Sequence, residues 1–273
     1  ADPKNWNTVA RPVPAPEAAM EIDPVNYRGH TVRASPRQKW PIDPWWEIGR
    51  FQVLEHSSVH AVLEGPVSPT TQTSLRKRIR LMPDGSVRHQ VTVTNHADVT
   101  RELAILSNTR FKTRASLYVA VPSPQAAHAE YEPHLSADIG PTPFQIDTGF
   151  FTFPRQIDFG GGLMGRAGKF YLDTDRPWLA AIYRDALFVK YFAPEDQGPP
   201  PESNAPVEVF YSPAAQGSDR EPLLELILNS REGSLKPGES MTVTEIWELL
   251  DYQQQNMTSA EISYLQGLMQ RGW

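Results

Sequence analysis

Hydrophobic and polar positions alternate with period two from Ser74 to Asn95, interrupted only at Met82-Pro83-Asp84-Gly85. Such alternation marks a strand with one packed face. Pro-Asp-Gly is turn chemistry, because proline presets φ, aspartate bonds to nearby backbone and glycine takes the φ > 0 position. The stretch predicts a β-hairpin. One face carries Leu75, Ile79, Leu81, Val87, Val91 and Val93, with His89 in the same register; the other carries Arg76, Arg78, Arg80, Arg88, Gln90, Thr92 and Thr94.

Similar patterns recur along the chain. Phe51–Glu64 predicts two short strands, and Thr100–Phe111 and Ala115–Pro122 continue the meander. The polar, proline-rich stretch 123–150 predicts a long excursion, of the kind that is functional or mobile in a compact domain. Strand patterns resume at Lys169–Leu172, Trp178–Tyr183, Leu187–Phe192, Val207–Tyr211, Leu223–Leu228 and Met241–Leu250. Near the end, Thr258 and Glu261 have the spacing of a capping box. Ile262, Leu265, Leu268 and Met269 then form one helical stripe. The expected organisation is an extended Pro-rich arm over 1–27, a β domain over 28–252, and a helix within 253–273 docked on it. The fold class is all-β, two packed antiparallel sheets with a short C-terminal helix.

Composition narrows the function. Twenty-six prolines in 273 residues favour short strands over long helices. A net charge of −6 gives no reason to expect nucleic acid. The absence of cysteine excludes disulfides and thiolate metal sites. No apolar run reaches the roughly 20 residues of a membrane-spanning helix. The start, Ala1-Asp2-Pro3 without methionine, reads as a processed secretory end or a vector scar, and the expectation drawn is a periplasmic or secreted protein.

Several residues carry candidate chemistry. Trp45 and Trp46, in a loop with three prolines, either pack over the core edge or offer a sugar ring a stacking surface. The face bearing Arg76 and Arg78 either meets solvent or holds an anionic ligand through bidentate contacts. His89 reads as a hydrogen-bonded core residue or an acid. Lys190 and Glu208 lie within apolar strands, where a charge needs a partner; they pair with each other or face a ligand. Glu225, between leucines, is open to the same two readings. His56 and His60 are four apart, but on a strand that separation is about 13 Å, too far for one metal. No metal and no cofactor are expected.

The run Gly29-His30…Ser35-Pro36…Trp40-Pro41-Ile42-Asp43-Pro44, the Arg-rich hairpin ending in Val93-Thr94-Asn95, and Leu235-Lys236-Pro237-Gly238-Glu239 followed by Glu245-Ile246-Trp247-Glu248-Leu249 resemble the galactose mutarotase-like superfamily, in an uncharacterised bacterial branch. The resemblance implies a β-supersandwich that binds carbohydrate. In true aldose mutarotases a histidine acid and a glutamate base open the ring. By the resemblance Glu225 stands where relatives carry their base and Arg110 where they place a ligand-facing group. With the residues read above, the candidates are Glu225 and His89 for catalysis and Arg76, Arg78, Arg110, Lys190, Glu208, Trp45 and Trp46 for the ligand. The chain departs from that pattern at Ser107-Asn108-Thr109-Arg110-Phe111, where the relatives present a histidine, and the family's opening strands are short or absent before Gly29. Whether the protein is an enzyme, an aldose-1-epimerase-like isomerase, is therefore open. Two functions follow: a carbohydrate-binding or carbohydrate-processing protein acting on an acidic sugar at its anomeric centre, or a non-catalytic module docking a protein partner through the arm or the C-terminal helix.

Overall fold

The hairpin forms as its alternation requires. In the computed structural model its arms pair from Thr73↔Asn95 to Leu81↔Val87. Gly85 takes φ = 87°, the Met82 N–H donates to the Ser86 carbonyl at 2.8 Å, and the Ser86 N–H donates to Asp84 Oδ1 at 2.9 Å. The described residues are 29–36, 38–41, 43–47, 49–111, 115–131, 144–147, 149–153, 167–174, 178–202, 204–212, 223–252 and 258–269. The expected arm over 1–27 lies outside them, as do the side chains of Thr258, Leu268 and Met269.

In chain order the elements are β1 (His30–Ser35), a helical turn α1 (Pro44–Glu47), β2 (Gln52–His56), β3 (His60–Glu64), the hairpin strands β4 (Thr73–Leu81) and β5 (Val87–Asn95), then β6 (Arg101–Phe111) and β7 (Ser116–Ala120). There follow β8 (Ala127–Tyr131), β9 (Gln145–Asp147), β10 (Phe150–Phe153), β11 (Gly168–Leu172), β12 (Trp178–Tyr183) and β13 (Ala186–Phe192). The last are β14 (Val207–Ser212), β15 (Leu223–Asn229), β16 (Gly233–Leu235), β17 (Ser240–Asp251) and the helix α2 (Thr258–Met269). Among the described residues the strands fall into two antiparallel sheets, one of seven and one of ten, so the all-β, two-sheet class is the observed one.

Two expectations are corrected. The stretch 123–150 is not one excursion, since it supplies β8, β9 and the first residue of β10. β8 alternates alanine with histidine and glutamate and has few large apolar residues to announce it; it is a strand because it pairs with β11 from Ala127↔Leu172 to Tyr131↔Gly168. The tryptophan loop also contains a helical turn. Asp43 caps it, accepting the Trp45 N–H on Oδ1 at 3.0 Å, and Pro44 takes the first position, where its missing donor is no loss.

The chain divides into two compact units. The first comprises residues 1–110, 192–206 and 227–246, the second 111–191, 207–226 and 247–273. In the first, β2–β3–β4–β5–β17 lie side by side and β6 pairs with β1 and β16. Val32, Trp46, Val62, Leu75, Val91, Val93, Leu103, Ile105 and Val243 are buried there. Asn95 secures the hairpin's exit: its Nδ2 donates to the carbonyls of Val99 and Leu235 at 2.8 and 2.9 Å, and its own carbonyl accepts the Gly238 N–H at 2.9 Å. In the second unit β13–β12–β7–β10–β9 and β14–β11–β8 are the strand orders. Phe151 of β10 meets Phe170 of β11 at 5.4 Å between ring centroids, and Ile262 and Leu265 bring α2 against Tyr118, Phe150, Trp178, Leu187 and Val189. No described helix is long and apolar enough to cross a membrane.

Candidate functional site

Alternation along β8, β11 and β14 gives the second unit a polar aromatic face. The registers align His128, Tyr171 and Glu208 in one row and Glu130, Lys169 and Phe210 in the next. The opposite face takes Phe170, Leu172, Val207 and Val209 into the core. The rows are tied together by side-chain contacts. The His128 and Tyr171 rings stack at 4.7 Å with 6° between their planes. The Tyr171 hydroxyl donates to Glu130 Oε2 at 3.0 Å. Lys169 Nζ lies 2.5 Å from Glu208 Oε2 and 4.9 Å from the Tyr171 ring centroid. Burial, and then the Glu130 carboxylate, push the Tyr171 hydroxyl well above the usual tyrosine range, so it remains a donor. His128 and Glu130 are exposed, Lys169, Tyr171 and Phe210 half-buried, and Glu208 is fully buried. Ligands with apolar ring faces and hydroxyl rims suit such a surface, with aromatic planes for the one and charged hydrogen-bonding groups for the other.

The first unit holds a different cluster. β1, β5 and β17 bring His30, His89 and Glu245 together, with one ligand-capable atom from each lying within 4.8 Å of the others. His89 Nδ1 is 3.5 Å and His30 Nε2 3.8 Å from Glu245 Oε2. The two imidazoles cross edge to face at 5.1 Å, and His30 Nδ1 contacts Thr109 Oγ1 at 3.2 Å. His89 and Glu245 are buried. Acid–base work on a sugar needs one group on either side of the ring oxygen and anomeric hydroxyl. His89 and Glu245 touch each other instead, and leave no room for a ring between them.

The residues singled out from the sequence are distributed as follows. The first unit holds Trp45, Trp46, Arg76, Arg78, His89 and Arg110; the second holds Lys190, Glu208 and Glu225. Trp46 is buried and donates its indole N–H to Thr73 Oγ1 at 3.1 Å, which leaves half-buried Trp45 as the ring of that pair with open surface. Arg76 and Arg78 are exposed, on the opposite face of the hairpin from His89, and Arg76 pairs with Glu64. Arg110 is half-buried at the end of β6. Lys190 is fully buried on β13, and Glu225 is buried on β15. Glu208 has Lys169 as an ion-pair partner.

Sequence reasoning passed over His30, His128, Glu130, Lys169, Tyr171 and Glu245. Glu245 had a usable signal, a carboxylate in register with Val243 on an otherwise apolar strand face, as His89 is in register with Val91. Lys169 and Tyr171 alternate with Phe170 and Leu172, but nothing local distinguishes a ligand-facing pair from a solvated one.

No curated protein matches the chain. Among solved structures it is similar to a putative aldose 1-epimerase from Escherichia coli K12, at 14% identity and a TM-score of 0.49, covering 78% of this chain and 72% of that one. It is similar to a galactose mutarotase-like protein from Lactobacillus casei, at 14% identity and a TM-score of 0.43, covering 73% of each. A galactose mutarotase-like protein from Clostridium acetobutylicum shares 11% identity at a TM-score of 0.44, covering 86% of this chain and 82% of that one. The family model described as domain of unknown function DUF4380 matches residues 14–250 of the 273, and the chain belongs to that family.

Proposed function

We propose that the protein binds carbohydrate on the β8–β11–β14 face of its second unit. The observation that carries this reading is the row of exposed His128 stacked on half-buried Tyr171, edged by Glu130 and by Lys169, whose ion-pair partner is the buried Glu208. A pyranose that packs its C–H side on the exposed His128 ring directs hydroxyls at Glu130 and Lys169. The sequence resemblance to the mutarotase-like superfamily points the same way.

An acidic sugar would find Lys169 at this face, but Glu208 already neutralises that cation at 2.5 Å. A uronate carboxylate therefore gains less here than it would from a lysine without an acidic partner, and neutral sugars compete well. Glu208 and Glu225 are buried, so the exposed groups of this face with acid–base chemistry are His128 and Glu130, and binding is tested before any reaction.

Thermal shift against neutral hexoses, uronic acids and sugar phosphates tests it, with Tyr171→Ala and His128→Ala as variants. A ligand that binds only the folded state raises Tm by linkage. The expected result is a saturable rise with at least one sugar class, lost in both variants. No rise with any sugar, or a rise that both variants retain, overturns the assignment. A sugar that binds is then assayed for anomer interconversion.

A further inference from the structure

We propose that His30, His89 and Glu245 of the first unit form a binding site for one divalent transition-metal ion, zinc in the first instance. Spacing carries the inference. His89 Nδ1 and Glu245 Oε2 form a long hydrogen bond at 3.5 Å, and His30 Nε2 at 3.8 Å lies beyond the roughly 2.7–3.2 Å of a good N–H···O hydrogen bond. Both separations approach that of ligands sharing a metal: donors about 2.1 Å from one centre at tetrahedral angles lie about 3.4 Å apart. All three donor atoms fall within 4.8 Å, so a small side-chain adjustment closes the set.

Donor chemistry narrows the ion. Two imidazoles and one carboxylate suit zinc and its transition-metal neighbours, whereas calcium and magnesium take oxygen ligands. Thr109 supplies the outer contact that metal-bound histidines usually have. Its Oγ1 meets His30 Nδ1 at 3.2 Å, which directs Nε2 towards Glu245. The three ligands come from β1, β5 and β17, strands joined by no short turn, so an ion here would tie them across the first unit. The His30 side chain is 16% exposed and the Glu245 side chain 0%, while His30 Nε2 itself is buried, so an ion reaches the set only past the His30 ring. His56 and His60, the histidine pair conspicuous in the sequence, are no part of this set. His56 is exposed, and His60 Nδ1 is held by Ser57 Oγ at 2.7 Å.

The test starts from the whole chain, stripped with chelator and titrated with zinc chloride. Expected are one zinc per chain by elemental analysis after desalting and a saturable rise in Tm. Histidine-ring nitrogen resonances of two histidines should also shift. His30→Ala, at the less buried edge of the cluster, and Glu245→Gln should each lose at least tenfold in zinc affinity, while His56→Ala retains it. The wild-type measurements stand even if a variant fails to fold. Less than a tenth of an equivalent of zinc retained with no change in Tm overturns the site. So does a rise in Tm that His30→Ala and Glu245→Gln both preserve, which would mean surface histidines hold the ion.

Discussion

Tyr118 and Tyr252 lie in one apolar cluster beside Ile262 and Leu265 of α2, and both are almost fully buried. Their hydroxyls differ. Tyr118 donates to the buried Glu261 carboxylate, whereas the Tyr252 hydroxyl makes no hydrogen bond among the described residues. Removing either oxygen leaves the ring in place, so the two Phe substitutions compare a used polar group with an unused one. Tyr118→Phe takes the Tyr118 donor away from the buried Glu261 carboxylate, which costs roughly 1.5–3 kcal/mol. At about 2–4 °C per kcal/mol for domains of this size, Tm falls by about 3–12 °C. Tyr252→Phe deletes a hydroxyl that was desolvated without return, and Tm holds or rises.

Alkaline titration adds a signature that simple loss of packing would not give. Burial first, and then the Glu261 carboxylate, push the Tyr118 hydroxyl well above its ordinary value of 10.0. The protonated form is thus favoured by folding. Its contribution is fully present below the unfolded pKa near 10 and is lost as pH rises beyond it. The gap in Tm between wild type and Tyr118→Phe should be flat between about pH 7 and 9 and narrow above about 10. Melting curves of the wild type and both variants across that range decide the matter. A Tyr118→Phe protein within 1 °C of wild type would refute the reasoning, as would a Tyr252→Phe protein that loses as much.

Three further outcomes follow from particular contacts. Asp196 is buried, and desolvation pushes its carboxyl up even though the Thr244 N–H donates to it at 2.8 Å. The stability of its protonated form is fully present below about 3.8 and lost as pH rises through the folded pKa. Asp196→Asn, which keeps an acceptor for Thr244, should therefore gain on wild type in Tm from about pH 4 towards neutrality, and an unchanging difference would count against it. Trp46→Phe loses the bond to Thr73 and some core volume, and should cost about 1–3 kcal/mol in chemical denaturation with sugar-induced shifts unaltered. Arg76→Ala and Arg78→Ala should each change stability by about 1 kcal/mol or less and leave those shifts intact. Loss of the sugar response in either would move the binding face to the hairpin.

What could be read from the chain and what could not divides along sequence distance. Period two fixed which side chains share a face of β4 and β5 because a strand's alternation is local: Arg76, Arg78, Arg80 and Arg88 are exposed while Leu75, Val91 and Val93 are buried. Ile79 and Leu81, expected on the packed face, are instead exposed next to the turn, where alternation cannot tell whether anything covers that face. Pro83-Asp84-Gly85 set the register for a similar reason, since a turn of known geometry leaves one pairing that keeps the apolar face whole. The same alternation put His89 on the core side. It could not show what His89 meets there, since Glu245 lies 156 residues away, and His30 enters on a strand aligned through β6. β8 shows the limit from the other side. Ala127, His128, Ala129 and Glu130 lack the apolar run that announces a strand, and the pairing that makes them one comes from β11, some 40 residues later. His128 meets Tyr171 only through that pairing, so a site assembled on it is invisible until the ladder is known. Long-range antiparallel pairing therefore hides sites selectively: a turn-linked pair reveals both faces in the sequence, whereas a pair closed across a long connection reveals each strand and conceals what their side chains do together.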